Sequence, residues 1–243
     1  LFPIQRFALD YWKGKGYYKA KYSDNVPGYF TESDDQSVEE KKKDPGKMKQ
    51  TGTGRTYTIK ELASYSFLLE HFYIVDETTS MTKQELNGIK LVKTDLSAKL
   101  GKGEPLVLIY HTHGSEAYRG SRKGRKSDTV IGVGDVLTKR LEQKNIKVVH
   151  DRNIYDVKNG KEERSKAYNY AATAIEKNLK KYPSIQVVID LHRDGVNEST
   201  KLVTRQNGKR MAQIMFFNGL SRTTATGPID YLKNPNLEDN LAT

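Results

Sequence analysis

Residues 106–118 read Leu-Val-Leu-Ile-Tyr-His-Thr-His-Gly-Ser-Glu-Ala-Tyr, and this stretch carries most of the information about the fold. Its first five residues are apolar or aromatic, which is typical of a strand buried in a parallel sheet. Two histidines and a glutamate follow, His111, His113 and Glu116. Ligands of open α/β sheets bind at the carboxyl ends of strands, so the pattern predicts a functional site directly after residues 106–110.

Strands and helices alternate after this stretch. Asp128 or Thr129 can cap a helix. A second helix is predicted for residues 164–182 and is ended by Pro183; its residues on one side are Tyr168, Ala171, Ala172, Ile175 and Leu179. The alternation implies right-handed crossovers, so the predicted fold is α/β with a mostly parallel central sheet and helices on both faces. The apolar residues of the first helix recur at helical spacing: Val130, Val133, Val136, Leu137 and Leu141. The expected strands are residues 106–110, 146–149 and 185–191. A hairpin formed by residues 201–205 and 211–217 is expected to add an antiparallel edge.

The beginning of the chain is predicted to be less regular. Residues 31–54 are polar and have almost nothing to bury, which favours a loop or linker. We therefore expect an N-terminal region, residues 1–60, followed by an α/β domain, residues 61–243. Within that domain Thr82 and Glu85 have the spacing of a capping box, which predicts the start of a helix.

The composition restricts the class of protein. The 243 residues include no cysteine, so zinc could be bound only by histidine and carboxylate side chains. A net charge of +11 favours anionic partners such as nucleic acid, anionic lipid or cell-wall polymers. No apolar run reaches the roughly 18–20 residues that span a bilayer. The chain opens on Leu1 without a recognisable signal peptide, so we expect a processed piece from which any anchor or export signal has been removed.

Each of the three predicted parallel strands is followed by histidine. His111 and His113 follow the first strand, His150 the second and His192 the third, which accounts for four of the five histidines. Because the ends of parallel strands meet at one edge, we expect a metal site there. The spacing does not decide whether His111 or His113 faces the metal, and Glu116 is close enough to reach the same ion. A set of two histidines and one glutamate leaves a fourth zinc position for water, which suits amide hydrolysis.

Two basic features lie near this predicted site. Arg193 either belongs to a solvated turn with Asp194 or binds a substrate carboxylate or sugar oxygen. Residues 119–126 are rich in arginine and lysine, and they form either plain solvated surface or a docking site for a wall polymer. A metal-dependent nuclease is suggested by charge alone, and the chain lacks the carboxylate-rich spacing of a two-metal site. The sequence also contains no phosphate-binding loop and no Gly-x-Ser-x-Gly elbow.

Several motifs resemble the stage II sporulation protein P family. They are Ile-Tyr-His-Thr-His-x-x-Glu at residues 109–116, Val-Ile-Asp-Leu-His-Arg-Asp-Gly at 188–195, Asn-Pro-Asn-Leu-Glu-Asp-Asn-Leu-Ala at 234–242 and Phe-Tyr-Ile-Val-Asp-Glu-Thr-Thr-Ser at 72–80. The resemblance covers roughly residues 64–243. It implies an α/β fold related to zinc N-acetylmuramoyl-L-alanine amidases, and a peptidoglycan hydrolase that cleaves between N-acetylmuramic acid and L-alanine, with a second, endopeptidase activity.

The resemblance also assigns roles to individual residues. His113 and His192 match the zinc histidines of the family, and Glu116 matches the glutamate of its His-x-His-x-x-Glu motif. Related amidases place their glutamate on the following helix, where this chain has Asp135. The catalytic glutamate of the family, near a final strand, has no match in this chain, so we expect it beyond Thr243.

The family also implies a location and partners. Its members act during engulfment in endospore-forming bacteria, outside the cytoplasm around the forespore. They are tethered by an N-terminal membrane segment, which we expect to have been removed from this processed piece. The expected partners are peptidoglycan and stage II sporulation proteins D and M, with no nucleic acid. The alternative function is a basic wall-binding or scaffold module whose zinc site is incomplete and non-catalytic.

Overall fold

A computed structural model describes residues 56–99, 103–197, 199–206, 208–230 and 233–243. The described residues fall into two compact units, residues 95–195 and residues 56–94 with 196–243. Nearly all of the predicted N-terminal region, with its polar stretch at residues 31–54, lies outside the described residues. The predicted boundary near residue 60 therefore stays a prediction.

The helices and strands are named here in chain order. The α-helices are α1 (Ile59–Leu62), α2 (Tyr65–His71), α3 (Gly88–Lys93), α4 (Val130–Glu142), α5 (Arg164–Lys181) and α6 (Leu237–Ala242). The strands are β1 (Val107–Tyr110), β2 (Val148–His150), β3 (Val157–Lys158), β4 (Lys161–Glu162), β5 (Val187–Asp190), β6 (Val203–Gln206), β7 (Lys209–Ala212), β8 (Arg222–Thr223) and β9 (Gly227–Pro228).

The first unit is built on a parallel sheet of three strands. Their order is β2-β1-β5, so the strand at the start of residues 106–118 is central, and all four of its residues are buried. Its side chains alternate between the two faces. On one face Leu108 and Tyr110 pack with Ile175 of α5, and on the other Ile109 packs with Leu137 of α4. Helices therefore cover both faces, and the predicted α/β class is confirmed.

Helix α4 begins where the sequence predicts, but only part of the predicted apolar face is buried: Val130 is buried and Leu137 and Leu141 pack against the core. The Thr129 hydroxyl accepts a hydrogen bond from the amide of Ile131 and caps the helix. Val133 and Val136, which the spacing placed with the apolar residues, are 43% and 60% exposed. The buried positions on this helix are Val130, Ile131, Gly134 and Thr138.

The second unit has a small apolar core of its own, in which Leu68, Leu86, Leu91 and Leu241 pack together. The predicted capping box forms: the Thr82 amide donates to Glu85 Oε2 at 2.9 Å and the Glu85 amide to Thr82 Oγ1 at 3.2 Å. It closes a single turn, however, and α3 begins only at Gly88, behind an Asn87 cap. The predicted helix start at Thr82 is therefore wrong by one turn.

The predicted hairpin forms but does not extend the central sheet. Strands β6 and β7 pair antiparallel as a separate two-stranded sheet. All four residues of β7 are exposed, so this strand has no buried face that would fix its register on another sheet. Residues 213–217, expected to continue the second strand, have no regular structure. Among the described residues, no helix is both long and apolar enough to cross a membrane.

Candidate metal centre

Three side chains meet beyond the carboxyl ends of β1 and β5. His113 and Glu116 come from the loop after β1, and His192 lies two residues beyond β5. Each offers one ligand atom, and these atoms all lie within 4.8 Å of one another. His113 and Glu116 are buried, whereas His192 is half-buried. The structure thus brings together the three residues that the resemblance marks as ligands, while their ligand role stays a prediction.

A tight turn at Gly114 makes this meeting possible. A Cβ atom at Gly114 would lie 3.1 Å from the Asn153 carbonyl oxygen and 3.3 Å from Ile131 Cδ1, so a larger residue would require these neighbours to shift by a few tenths of an ångström. The Glu116 amide donates to the His113 carbonyl at 3.0 Å, and the Glu116 carbonyl accepts from the Val130 amide at 2.9 Å. These backbone bonds tie the loop to the start of α4 and hold Glu116 in place.

Asp190, the last residue of β5, orients His192. Its carboxylate accepts hydrogen bonds from the Thr112 amide at 2.9 Å and the Thr112 hydroxyl at 2.6 Å, and it lies 2.9 Å from His192 Nε2. His192 Nδ1 lies 3.5 Å from Glu116 Oε2. Histidine ligands commonly bind a metal through one ring nitrogen while the other donates to a carboxylate. His192 Nδ1 is therefore the atom that would face a metal.

Sequence analysis did not give Asp190 a role, although a signal was present. Asp190 and His192 are two positions apart, and residues at that spacing share one side of an extended chain. The Asp-x-His spacing at a strand end could thus have predicted a carboxylate beside the ligand.

Both oxygens of the Glu116 carboxylate are engaged. Oε1 accepts from Arg164 at 2.8 Å, and Oε2 accepts from the Arg193 amide at 3.1 Å. Burial by itself raises the pKa of Glu116, but hydrogen bonds from His113, His192 and the Arg193 amide outweigh it and hold this pKa well below its ordinary value. Glu116 is therefore ionised at neutral pH, as a metal ligand must be.

His192 lies between two carboxylates. Burial lowers the pKa of His192, but hydrogen bonding and charge from Asp190, joined by Glu116, raise it to about 10. The protein thus places a positive charge at this point, as an imidazolium when no metal is bound. A cation would displace that proton and satisfy the same carboxylates. Two imidazoles and one carboxylate also match the ligand preference of zinc, so the residues present fit this metal.

The two arginines beside Glu116 act differently. Arg193, predicted to bind substrate, contacts Glu116 through its backbone amide, while its exposed side chain donates to the Asp194 carbonyl at 3.2 Å. Its substrate role stays a prediction. Arg164, the first residue of α5, pairs with Glu116 and lies 3.6 Å from buried Asp156. Arg164 is 48 residues from Glu116, and no local pattern marks it.

The four histidines predicted to converge do so as two groups. His111 turns away from Glu116, and its Nε2 lies 2.8 Å from His150 Nε2. Of the two histidines that spacing could not separate, the structure therefore places His113 with Glu116 and His111 with His150. The nearby basic stretch is partly neutralised, because Arg122 forms two hydrogen bonds with Asp128, at 2.6 and 2.8 Å.

Comparison with known proteins gives one finding. A family model described as stage II sporulation protein P matches residues 14–243. No curated protein and no solved structure matches the chain. Because the family match spans nearly the whole sequence, the chain belongs to the stage II sporulation protein P family, whose role lies in sporulation and the cell wall.

Proposed function

We propose that this protein is a zinc-dependent peptidoglycan hydrolase, an N-acetylmuramoyl-L-alanine amidase that removes stem peptides from glycan strands during engulfment. The observation that carries the proposal is the group of His113, Glu116 and His192 at one edge of a parallel sheet, in a chain of a sporulation family. Two imidazoles and one carboxylate leave a fourth zinc position for water or the substrate carbonyl.

The residues of this chain prepare the site in stated ways. Zinc, when bound, supplies Lewis-acid activation of the amide carbonyl and a water of lowered pKa. Asp190 holds His192 with Nδ1 toward Glu116, and Arg164 fixes one oxygen of that glutamate. The side chain of His192 is 29% exposed, whereas those of His113 and Glu116 are 2% and 3% exposed. Substrate is therefore expected to approach from the side of His192.

Amide hydrolysis also needs a proton acceptor within reach of the water. Two carboxylates lie beside the group in the described part of the chain, and both are engaged. Asp190 accepts from the Thr112 hydroxyl at 2.6 Å, and Asp156 accepts from the Ser115 hydroxyl at 2.5 Å. We assign the acceptor to neither and leave that role to the catalytic glutamate that the resemblance implies.

The test joins zinc content with release of stem peptides from purified sacculi. The wild-type chain is expected to hold about one zinc ion, and His113→Ala or His192→Ala to lose it. His71→Ala is the matched control, because His71 lies in α2, which belongs to the other unit. A longer chain that continues past Thr243 and holds zinc, yet releases no stem peptides, would contradict the proposal.

The second candidate function is a basic wall-binding or scaffold module with a non-catalytic zinc site. Two observations favour it. The carboxylates of Asp190 and Asp156 already accept hydrogen bonds, and the chain has a net charge of +11. It predicts that zinc-free protein binds sacculi as tightly as the zinc form and that the longer chain is inactive. Zinc-dependent release of stem peptides excludes it.

Location and partners follow from the family alone. We propose that the protein acts outside the cytoplasm on peptidoglycan, together with stage II sporulation proteins D and M. Family membership and the resemblance support this proposal. Purification of this protein from sporulating cells, followed by detection of stage II sporulation proteins D and M, tests the proposal. The absence of both proteins from the purified sample would contradict it.

A further inference from the structure

The two histidines that stay outside the metal group form a buried pair of their own. His111 is fully buried, and its Nε2 lies 2.8 Å from His150 Nε2. His111 Nδ1 lies 2.9 Å from the carbonyl oxygen of Leu191. The outer ring nitrogen of His150, Nδ1, lies 3.1 Å from Asp135, which Arg152 also contacts at 2.6 Å. Three segments of the chain are thus joined through two imidazoles.

These contacts join the ends of all three strands of the parallel sheet. His111 follows β1, His150 is the last residue of β2, and Leu191 follows β5. The strands contain only three or four residues each, so few backbone hydrogen bonds hold their ends in register. His113 lies two residues beyond His111, and His192 is the next residue after Leu191. The histidine pair therefore fixes the two points from which the histidines of the metal group leave the sheet.

The hydrogen-bond pattern determines which nitrogen carries each proton. A carbonyl oxygen only accepts, so His111 must donate from Nδ1 to Leu191, and its Nε2 is then an acceptor. His150 must in turn donate from Nε2. The hydrogen bonds thus run in one direction: His150 donates to His111, and His111 donates to the Leu191 carbonyl. Asp135 is not required for it, because His150 Nδ1 lies 3.1 Å from that carboxylate without forming a hydrogen bond, and Arg152 donates to the carboxylate at 2.6 Å.

Gly134 shows that the helix above leaves room for this pair. A Cβ atom at Gly134 would lie 2.6 Å from His150 Nε2 and 2.8 Å from His111 Nε2. Any larger residue would push into the hydrogen bond between the two rings. Glycine is less favourable than alanine inside a helix, so its presence in the middle of α4 fits a packing requirement.

We propose that His111 and His150 are positioning residues that hold His113 and His192 at ligand distance. The inference rests on the proposed metal centre. The two rings hydrogen-bond each other and the Leu191 carbonyl. Their effect passes through the backbone at Leu191 and through the two-residue connection from His111 to His113.

The first experiment measures zinc affinity by competition with a chelator. His150→Leu removes the donor to His111 and is expected to weaken binding about 10- to 100-fold, the range found for residues that orient metal ligands. His150→Gln offers an amide donor in its place and is expected to recover most of the affinity. Asp135→Asn is expected to bind as the wild type does, because the pair does not need that carboxylate.

Two controls separate positioning from general stability. Ile175→Val shortens a buried side chain against the opposite face of the sheet, so it should lower the melting temperature and leave zinc affinity unchanged. Gly134→Ala has the better helix propensity, but its Cβ would lie within 2.8 Å of the Nε2 atoms of both rings, so it should weaken zinc binding. A His150→Leu variant that melts earlier but binds zinc as tightly as the wild type overturns the inference.

The second experiment uses no zinc, and it does not depend on folding of the His150→Leu variant. Nitrogen-detected NMR of the metal-free wild-type chain is expected to show His111 with its proton on Nδ1 and His150 with its proton on Nε2. The opposite assignment overturns the inference. A wild-type chain that takes up no zinc overturns the proposed metal centre, and this inference with it. A chain that binds zinc with equal affinity in all variants overturns the inference alone.

Discussion

The two histidine groups at this edge of the sheet use the same side chain in opposite electrostatic settings. His192 lies against Asp190 and Glu116, and these carboxylates outweigh burial and raise its pKa to about 10. His150 is also buried, and burial with the nearby Arg152 lowers its pKa to about 4, although Asp135 opposes the shift. One histidine is therefore a cation at neutral pH and the other is neutral.

This difference indicates which group can bind a metal. A site that already favours a positive charge loses little when a divalent cation replaces a proton, because the carboxylates remain compensated. In the neutral pair, His150 Nε2 donates to His111 Nε2, so neither of these two nitrogens has a lone pair free for a metal. The carboxylates, more than the histidines, thus distinguish the metal group from the positioning pair.

The largest effect is expected from removing the carboxylate within the metal group. Glu116→Gln keeps the shape of the side chain but takes away the negative charge, so zinc affinity should fall by more than about 100-fold. Isothermal titration with zinc measures it. Glu142→Gln, an exposed change at the end of α4, serves as the control and should have no effect. Equal affinity in the two variants would remove Glu116 from the ligand set.

A smaller loss is expected when only the orientation of His192 is disturbed. Asp190→Asn cannot accept in the same way from Thr112 and His192, so zinc affinity should fall about 10- to 100-fold. The pKa of His192 should fall from about 10 toward its ordinary value. An NMR titration of the metal-free chain follows that pKa. A His192 titration unchanged by this substitution would contradict the contact with Asp190.

The same contrast predicts two separate changes of stability with pH in the metal-free chain. An unfolded histidine titrates near 6.5. The pKa of folded His192 is about 10, so its stabilisation is complete below pH 6.5 and is lost as pH rises to 10. The pKa of folded His150 is about 4, so the unfolded chain binds more protons between pH 4 and 6.5, and stability falls as pH drops through that window.

Urea unfolding at a series of pH values measures both changes, each expected at roughly 1–3 kcal/mol. His192→Gln should flatten the alkaline change and leave the acid one, while His150→Gln should do the reverse. A variant that flattens the opposite change would show that the two environments have been assigned the wrong way round. Zinc affinity of the wild-type chain should rise from pH 6.5 to 10, by up to about tenfold per unit, because zinc competes with one proton on His192.

The sequence predicts those parts of the fold that depend on local pattern. Apolar residues 106–110 give the central strand, and Pro183 limits helix α5, which is observed as Arg164–Lys181. Predictions that depended on tertiary packing were less accurate. Val133 and Val136 have helical spacing but face solvent, and the turn at Thr82 and Glu85 is not followed by helix until Gly88.

The site shows the same division. Strand ends bring His113 and His192 together because parallel strands share one carboxyl edge, which topology alone predicts. The separation of His111 from His113 depends on the turn at Gly114 and on the Leu191 carbonyl, which no spacing rule encodes. Arg164 comes from a distant helix, so only the folded chain reveals its contact with Glu116.

The smallest effect is expected at Arg193, and it separates backbone from side-chain contributions to the metal group. Arg193 holds Glu116 through its amide, which Arg193→Ala preserves, so zinc affinity should stay within about twofold and stability within about 0.5 kcal/mol. Arg164→Ala removes a side-chain partner of the buried Glu116 and should weaken zinc binding about tenfold. Chelator competition on the two variants makes the comparison. Binding of sacculi by Arg193→Ala then tests the predicted substrate contact. Weaker wall binding with unchanged zinc affinity supports a substrate-binding role for this exposed side chain. Unchanged wall binding rules that role out.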